Sequence, residues 1–393
     1  MPQGPKRIDF VFFDAGGGHR SAANALKAVI EQQGRPWQIR LVNLQDTLDP
    51  LDIFRKYLRI RLQDVYNKLL QKGWTLGSAQ MLVAMHGIIR VYHRAQVKLL
   101  RRFWSTDPPD MVVSLVPNFN RAMFQAIQAV DPAIPYVTIL TDFADYGSHF
   151  WIERQPQHVI CGSERAAEQA RAKGYPDSSV FRASGMILRP RFYESADIDP
   201  LQERQRLGLR TDLRTGLVLF GGEGSSAMVR IAREVEKSRL PVQLIFICGR
   251  NEKLRALLTQ MPTTFPKRVE GFTTDIPRYM AAADFFIGKP GPGSISEALA
   301  MKLPVIVTRN ALTLPQERYN VEWVLEKEVG MALRSFREIA PAIRRLLEPA
   351  TFAKLRANAA AIQNRAVFEI PDFLESILAH QEPSTGVSPL FSA

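Results

Sequence analysis

A histidine follows three consecutive glycines close to the start of the chain. In the segment FFDAGGGHRSAANALKAVI, Gly16, Gly17 and Gly18 precede His19, between an apolar run and a helical pattern. Glycines at such a turn permit positive φ angles and let another molecule approach the backbone. The free N–H groups of the following helix N-terminus suit oxyanions, and a histidine, with an unperturbed pKa of about 6.5, can act there as a general base. The alternative is a tight turn with a surface histidine.

A carboxylate, Asp142, is the second candidate for a base. It follows the apolar run YVTILT (136–141). Doubly wound folds place their chemistry at the carboxyl ends of strands, and Asp142 follows such an end. The alternative is that Asp142 serves only in a turn or at a helix N-cap.

A second glycine-rich turn carries groups suited to a nucleotide. In IGKPGPGSISEALAMKLPVIV, we expect Ser294 to cap a helix with Glu297 at capping-box spacing. The helix N-terminus can hold a diphosphate, and Glu297 can accept hydrogen bonds from two ribose hydroxyls. The alternative is that Glu297 only completes the capping box. The segment FGGEGSSAMVRIA (220–232) repeats the strand–glycine–helix pattern, and two such turns favour a nucleotide-diphosphate site at the carboxyl edge of a sheet.

These turns need strands before them and helices after them, and the sequence supplies both. Short β-branched runs alternate with helical patterns, which is typical of parallel α/β sheets. The runs are IDFVFF (8–13), IRLVNL (39–44), MVVSLV (111–116), YVTILT (136–141), HVIC (158–161), GLVLFG (216–221), VQLIFIC (242–248), DFFIG (284–288) and PVIVT (304–308). We predict an N-terminal domain at 1–190, a C-terminal domain at 191–370, and a final helix and tail at 371–393.

Composition narrows the class of protein. The 393 residues, 46% of them hydrophobic, suit two α/β domains. Two isolated cysteines, Cys161 and Cys248, fit a reducing compartment. The N-terminus lacks the apolar core of a signal peptide, and no apolar run approaches the ~18 residues of a membrane-spanning helix. We therefore expect a cytoplasmic protein whose membrane contact is peripheral, at the inner face.

The positive charge is concentrated in one segment. Residues 51–104 hold eleven basic and two acidic residues, so they carry +9 of the net charge of +12. Within 81–104 a helical pattern places the basic side chains on one face and apolar ones opposite, which is typical of an interfacial membrane helix. The basic residues are Arg90, Arg94, Lys98 and Arg101; the apolar ones are Met85, Ile88, Tyr92, Ala95, Leu99 and Phe103. The alternative is an ordinary domain helix, and no nucleic-acid fold pattern accompanies the charge.

Seven motifs in order carry a family resemblance. They are AGGGHRSAANAL, TDF…HFW, CGSERAAEQARAKGY, GGEGS, ICGRNEKL, GFTTDIPRYMAAADFFIGKPGPGSISEAL and LPQERYNVEWVLE. Over roughly residues 8–350 the chain resembles the monogalactosyldiacylglycerol synthases and the bacterial diacylglycerol glucosyltransferases. These are relatives of the N-acetylglucosaminyltransferase that makes lipid II.

The resemblance implies a GT-B fold, in which two Rossmann-like doubly wound domains face a cleft. It implies inverting transfer of a hexose from a UDP-sugar to a membrane lipid, expected to be diacylglycerol, without a metal or another cofactor. The expected partners are the UDP-sugar, the lipid acceptor and an anionic membrane surface, with no nucleic acid. A sugar-nucleotide epimerase on the same fold and a non-catalytic UDP-sugar or anionic-lipid binding protein are the alternatives.

The resemblance also implies roles for residues that match the motifs. Glu297 would bind the ribose and Phe272 would lie near the uracil. The residues implied to face the diphosphate or the donor sugar are Gly222, Gly224, Ser225, Gly293, Ser294, Gln316, Glu317 and Asn320. His19, with Gly16, Gly17, Gly18 and His149, would belong to the acceptor side. The chain departs from the galactolipid synthases at Val116, which stands where they carry a histidine and which can neither move protons nor bind an anion.

Overall fold

The computed structural model describes residues 4–14, 17–49, 87, 89–147, 149–194, 198–311 and 313–380. These residues form two compact units. The first unit contains the described residues up to Pro190 together with those from Arg365 onward, and the second contains those from Arg191 to Asn364. Gly16 and most of the basic segment, residues 51–86 and 88, lie outside the described residues.

The first unit is built on a parallel sheet of six strands in the order β2-β1-β3-β4-β5-β6. The strands are β1 (Lys6–Phe12), β2 (Trp37–Asn43), β3 (Met111–Ser114), β4 (Tyr136–Ile139), β5 (His158–Cys161) and β6 (Val180–Arg182). The central strands β3 and β4 are buried throughout, because a parallel sheet is covered on both faces. This burial is why their sequences are continuous apolar runs. The described helices are α1 (Gly18–Gln32), α2 (Leu44–Leu48), α3 (His93–Thr106), α4 (Asn120–Gln128) and α5 (Glu164–Ala172).

The second unit has a parallel sheet of six strands in the order β12-β11-β10-β7-β8-β9. The strands are β7 (Arg214–Leu219), β8 (Val242–Ile247), β9 (Lys267–Glu270), β10 (Phe285–Gly288), β11 (Val305–Thr308) and β12 (Gly330–Leu333). Chain direction across the sheet reverses between β7 and β10, which makes that gap the switch point where doubly wound folds bind ligands. Two doubly wound units therefore confirm the predicted fold class.

Eight helices are described in the second unit, and several of them begin directly after a strand. They are α6 (Pro200–Arg206), α7 (Ala227–Ser238), α8 (Glu252–Gln260), α9 (Ile276–Ala281), α10 (Pro292–Ala300), α11 (Arg318–Glu326), α12 (Ile339–Leu346) and α13 (Pro349–Ala361). At the amino edge of the sheet, the buried carboxylate of Asp284 accepts from the Arg204 guanidinium at 2.7 Å and from the Thr215 backbone N–H at 2.8 Å. This pairing fixes the start of β7 beside β10.

The last described helix, α14 (Ala366–Ala379), packs on the first unit. The Phe373 ring lies 5.1 Å from the Phe181 ring, and the Glu369 carboxylate accepts from the Ser184 backbone N–H at 2.7 Å. The Arg35 guanidinium pairs with Asp372 on the same helix. The chain thus returns to its first unit after completing the second, and the domain boundary predicted at residue 370 lies inside α14.

Helix α3 carries the described part of the basic segment. Its buried side chains are Gln96, Leu100 and Trp104, and the Trp104 indole N–H donates to the Asp9 carboxylate at 2.9 Å. Over residues 93–106, α3 packs as an ordinary domain helix, with its most buried side chains in the core. Met85 and Ile88 of the predicted apolar face lie outside the described residues, and Tyr92, Ala95, Leu99 and Phe103 are half-buried. The four predicted basic residues are exposed, so membrane contact through them stays a prediction.

No helix in the described ranges has both the length and the apolar character needed to cross a bilayer.

Candidate functional site

The residues predicted for donor binding follow the carboxyl ends of four strands of the second sheet. Gly222, Gly224 and Ser225 follow β7; Phe272 follows β9; Gly293, Ser294 and Glu297 follow β10; and Gln316, Glu317 and Asn320 follow β11. Because these strands are parallel, the structure brings all ten to one edge of one sheet. This is the edge at which doubly wound folds bind nucleotides.

The turn after β7 is pressed against the turn after β8. Gly249 has a φ of +60°, and a Cβ there would lie 2.1 Å from the Gly222 carbonyl oxygen. Gly224 has a φ of +62°, and a Cβ there would lie 2.7 Å from the Cys248 carbonyl oxygen. The Arg250 backbone N–H donates to the Gly222 carbonyl at 2.8 Å. Only glycine fits at positions 224 and 249. The turn that contains GGEG and the turn that contains the glycine of ICGR therefore pack backbone against backbone.

The helix after β10 begins earlier than predicted. Helix α10 starts at Pro292 with Gly291 at the N-cap, and no side chain caps it. The prediction that Ser294 caps this helix is therefore wrong, because Pro292 has no N–H to satisfy and its fixed φ starts the helix two residues sooner. Ser294 is the third helical residue, and Glu297 cannot complete a capping box with it. The capping explanation for Glu297 is thereby removed, while its contact with ribose stays a prediction.

The short helical turn after β11 and the start of α11 contact the turn after β10. Asn320 is fully buried, and its side-chain amide donates to the Pro290 carbonyl at 2.8 Å. The Glu317 carboxylate lies 3.3 Å from the Lys289 ammonium. The sequence prediction did not include Lys289. A basic residue between the buried strand FFIG and the Pro-Gly turn was the signal that could have identified it.

An exposed aromatic ring lies at the same edge. Phe272 is 55% exposed, and the Arg250 guanidinium lies 4.4 Å from the centre of its ring. Arg250 is also 3.6 Å from the Glu223 carboxylate in the turn after β7. A large exposed ring with a polar neighbour is a suitable surface for stacking a flat base. Arg250, like Lys289, was missed at the sequence level.

In the first unit, His19 lies in the first turn of α1, after Gly17 with a φ of +78°. Its Nδ1 is 3.0 Å from the Thr141 hydroxyl, and its ring centre is 5.9 Å from that of Trp151. Burial lowers the pKa of His19 to about 4, and a hydrogen bond with the Leu115 backbone opposes this shift. The imidazole is therefore neutral at pH 7, with a lone pair that can accept a proton.

Trp151 links His19 to the second candidate base. Its indole N–H donates to the Asp142 carboxylate at 2.9 Å. His19 follows β1 and Asp142 follows β4, so both lie at the carboxyl edge of the first sheet. Neither Thr141 nor Trp151 was predicted as a site residue, although both stand in the TDF…HFW motif.

The other predicted acceptor-side residues lie nearby in the chain but differ in burial. His149 is exposed, with a φ of +62°, and its Nδ1 lies 2.6 Å from the buried Glu153 carboxylate. Val116 is buried, and its backbone carbonyl accepts from the Asn120 side chain at 3.0 Å. The position that the resemblance pairs with a histidine of the galactolipid synthases is thus an apolar core position in this chain.

Comparison with known proteins gives three results. Residues 217–368 match the model of the glycosyltransferase family 28 C-terminal domain. The chain is 28% identical to the chloroplastic monogalactosyldiacylglycerol synthase of Spinacia oleracea over 88% of this chain and 67% of that protein. Among solved structures it resembles MurG of Acinetobacter baumannii, with a TM-score of 0.60 and 14% identity over 95% of this chain and all of the other. The likeness to MurG supports the GT-B fold alone.

A further solved structure, the complex of MnaA from S. aureus with UDP, has a TM-score of 0.59 and 13% identity over 97% of this chain and all of the other. The sequence similarities confirm the predicted resemblance to monogalactosyldiacylglycerol synthases. The matched segment 217–368 contains all ten residues predicted for donor binding.

Proposed function

We propose that this chain, which is similar to the family 28 glycosyltransferases over residues 217–368 and to the monogalactosyldiacylglycerol synthases, transfers a hexose from a UDP-sugar to diacylglycerol. The observation that carries the donor assignment is the gathering of two glycine turns, an exposed aromatic ring and Glu297 at one edge of the second sheet. A diphosphate at the N-terminus of α10 is stabilised by free N–H groups and the helix dipole. Phe272 then offers its ring to the uracil and Glu297 accepts from the ribose hydroxyls.

The reaction needs a base for the acceptor and stabilisation for the leaving group. The acceptor hydroxyl oxygen forms a bond to the anomeric carbon while the bond from that carbon to the β-phosphate oxygen breaks. The hydroxyl proton passes to the base, and the electron pair of the broken bond stays on UDP. We assign the base to His19, because its imidazole is neutral and stands at a glycine-rich helix start, with Asp142 as the second candidate.

A direct assay tests this function. The purified protein is incubated with radiolabelled UDP-galactose, UDP-glucose or UDP-N-acetylglucosamine and with diacylglycerol in mixed micelles, and the lipids are separated by chromatography. We expect one labelled glycolipid and no loss of activity in EDTA. Isomerised sugar nucleotide without acceptor contradicts the proposal in favour of an epimerase. UDP-sugar binding with no turnover of any lipid supports a binding protein instead.

Glu297 gives a test of the donor site. Glu297→Ala removes a charged acceptor for the ribose hydroxyls, and a hydrogen bond to a charged group is worth about 1.5–3 kcal/mol. We therefore expect UDP affinity, measured by calorimetric titration, to fall by roughly tenfold or more. Glu326→Ala, at the far end of α11, is the matched control and should bind UDP like the wild type. Unchanged UDP affinity in a folded Glu297→Ala protein would remove Glu297 from the donor site.

Membrane contact gives another test, since the acyl chains of diacylglycerol stay in the bilayer. The exposed basic face of α3 and the residues before it attract anionic headgroups, at about 1 kcal/mol for each basic residue near the surface. Replacing Arg90, Arg94, Lys98 and Arg101 by Gln should release the protein from anionic liposomes in co-sedimentation, and added salt should act like the mutations.

The control replaces four exposed basic residues of the second unit by Gln, namely Arg230, Arg233, Lys253 and Lys327. This protein has the same net charge as the first variant. If both variants lose binding equally, net charge and not the α3 face holds the protein to the membrane. If the first variant still sediments like the wild type, the basic face is only solvated.

A further inference from the structure

A lysine and a glutamate form an ion pair at the switch point of the second sheet. Lys289 follows β10 directly, and Glu317 lies in the short helical turn Pro315–Glu317 after β11. The Lys289 ammonium is 3.3 Å from the Glu317 carboxylate. The Lys289 side chain is 45% exposed while that of Glu317 is 11% exposed. The glutamate is therefore held within the protein and the lysine remains accessible to a ligand.

The side chain of Lys289 extends over both glycine turns. A Cβ built on Gly291, the N-cap of α10, would lie 3.3 Å from the Lys289 Cε and 3.8 Å from its Nζ. A Cβ built on Gly221, in the turn after β7, would lie 3.9 Å from the same Cε. The end of the Lys289 side chain thus lies beside both turns that flank the switch point, with its Cε near Gly221 and its Cε and Nζ near Gly291.

The N-terminus of α10 and the Lys289 ammonium are both groups that bind anions. The N-terminus of α10 has a positive partial charge from the helix dipole, and Lys289 adds a full positive charge beside it. The Glu317 carboxylate balances the formal charge of Lys289, and its Oε1 lies 3.8 Å from a Cβ built on Gly291, so an anion at this turn competes with Glu317 for the ammonium. An ammonium beside a helix N-terminus, with glycines that let a ligand approach closely, is an arrangement suited to phosphate oxygens.

We propose that Lys289 binds the diphosphate of the donor and that Glu317 positions its ammonium, an inference that rests on the proposed transfer from a UDP-sugar. When the bond between the anomeric carbon and the β-phosphate oxygen breaks, the electron pair remains on that oxygen. The Lys289 ammonium stabilises this new charge without giving up its proton, while the proton of the acceptor hydroxyl goes to the base. Glu317 acts on the donor through Lys289 in this assignment, instead of contacting the donor sugar itself.

The test compares ligands that differ only in phosphate. Uridine, UMP and UDP are titrated calorimetrically into the wild-type protein, Lys289→Met, Lys289→Arg and the control Lys327→Met, which removes an exposed lysine at the C-cap of α11. For Lys289→Met we expect unchanged uridine affinity and UDP affinity about tenfold to a hundredfold lower, as for the loss of one charged hydrogen bond. Lys289→Arg should restore part of the UDP affinity, and Lys327→Met should match the wild type.

Each outcome has a distinct meaning. Equal UDP affinity in Lys289→Met and the wild type overturns the inference and leaves the proposed function standing. Equal losses for uridine and UDP also overturn it, since they indicate a structural effect. A wild-type protein that binds neither ligand contradicts the proposed function itself.

Glu317 is tested by separating binding from turnover. Glu317→Gln removes a negative charge from the vicinity of the diphosphate, so UDP affinity should stay equal or rise. The ammonium is then less well positioned, and kcat at saturating donor should fall by about tenfold, as for the loss of one well-placed charged hydrogen bond. Loss of UDP affinity together with kcat would assign Glu317 a direct contact with the donor and overturn its positioning role.

Discussion

We expect His19→Ala to lower kcat by about 10²–10⁴-fold, the usual contribution of a general base. The imidazole stands at the start of α1 within hydrogen-bond distance of the Thr141 hydroxyl, so its ring is held in one orientation. UDP affinity should remain at the wild-type value, because the residues proposed to bind the donor belong to the second unit. Steady-state kinetics with labelled donor gives kcat, and calorimetry gives the UDP affinity.

The control for this variant is His93→Ala, which removes a half-buried histidine of the same unit whose Nε2 lies 2.7 Å from the Gln125 Oε1. It should leave kcat unchanged. A near-normal kcat in His19→Ala would indicate that Asp142 and not His19 is the base.

The pH profile gives an independent test, because the neutral imidazole is the active form. Burial lowers the pKa of His19 to about 4, so kcat/KM should stay level from neutral pH to about pH 5 and fall only below it.

We expect Gly249→Ala to weaken UDP binding strongly and to destabilise the second unit. The new Cβ would lie 2.1 Å from the Gly222 carbonyl oxygen, so the turn that carries Gly222 and Gly224 has to move. The left-handed backbone adds a cost of about 1–2 kcal/mol for any residue with a Cβ. We expect a loss of UDP affinity of roughly a hundredfold or more, since two misplaced charged hydrogen bonds cost about 3–6 kcal/mol.

A glycine in the same unit separates strain from displacement. Gly208 has a φ of +69° and open space around its Cβ position, so Gly208→Ala carries the backbone strain without the collision. Thermal unfolding should show a modest loss for Gly208→Ala and a larger one for Gly249→Ala, and UDP titration should show a loss only for the latter. Similar behaviour of the two variants would mean that the contact between the turns does not shape the donor site.

The sequence predicted the central strands well and the edge strands poorly. All nine apolar runs correspond to strands, but β6, β9 and β12 were not predicted. Each of these three is an edge strand, paired on one side only. An edge strand is covered less completely, so segments such as KRVE and GMAL need not be continuous apolar runs. The pattern that identifies a buried parallel strand is therefore missing where burial is incomplete.

The candidate site was predictable where residues close in sequence define it. The glycine turns and the histidine after them stand out in the chain, whereas the Lys289–Glu317 pair and the link from His19 to Asp142 through Trp151 join segments far apart. The predicted Ser294 cap failed for a local reason, since Pro292 competes for the helix start and a capping-box spacing alone does not show which residue begins the helix.

The return of α14 to the first unit affects the order of folding on the ribosome. Ribosomes add about 5–20 residues per second, so residues 191–364 take roughly ten to thirty seconds to emerge after the first unit's sheet strands. During this interval the surface of α1 that α14 will cover stays open, and the apolar side of Phe181 lacks Phe373. The first unit therefore cannot complete its packing until residues 366–379 have been synthesised, and a stop in translation within the second unit leaves the first unit without α14.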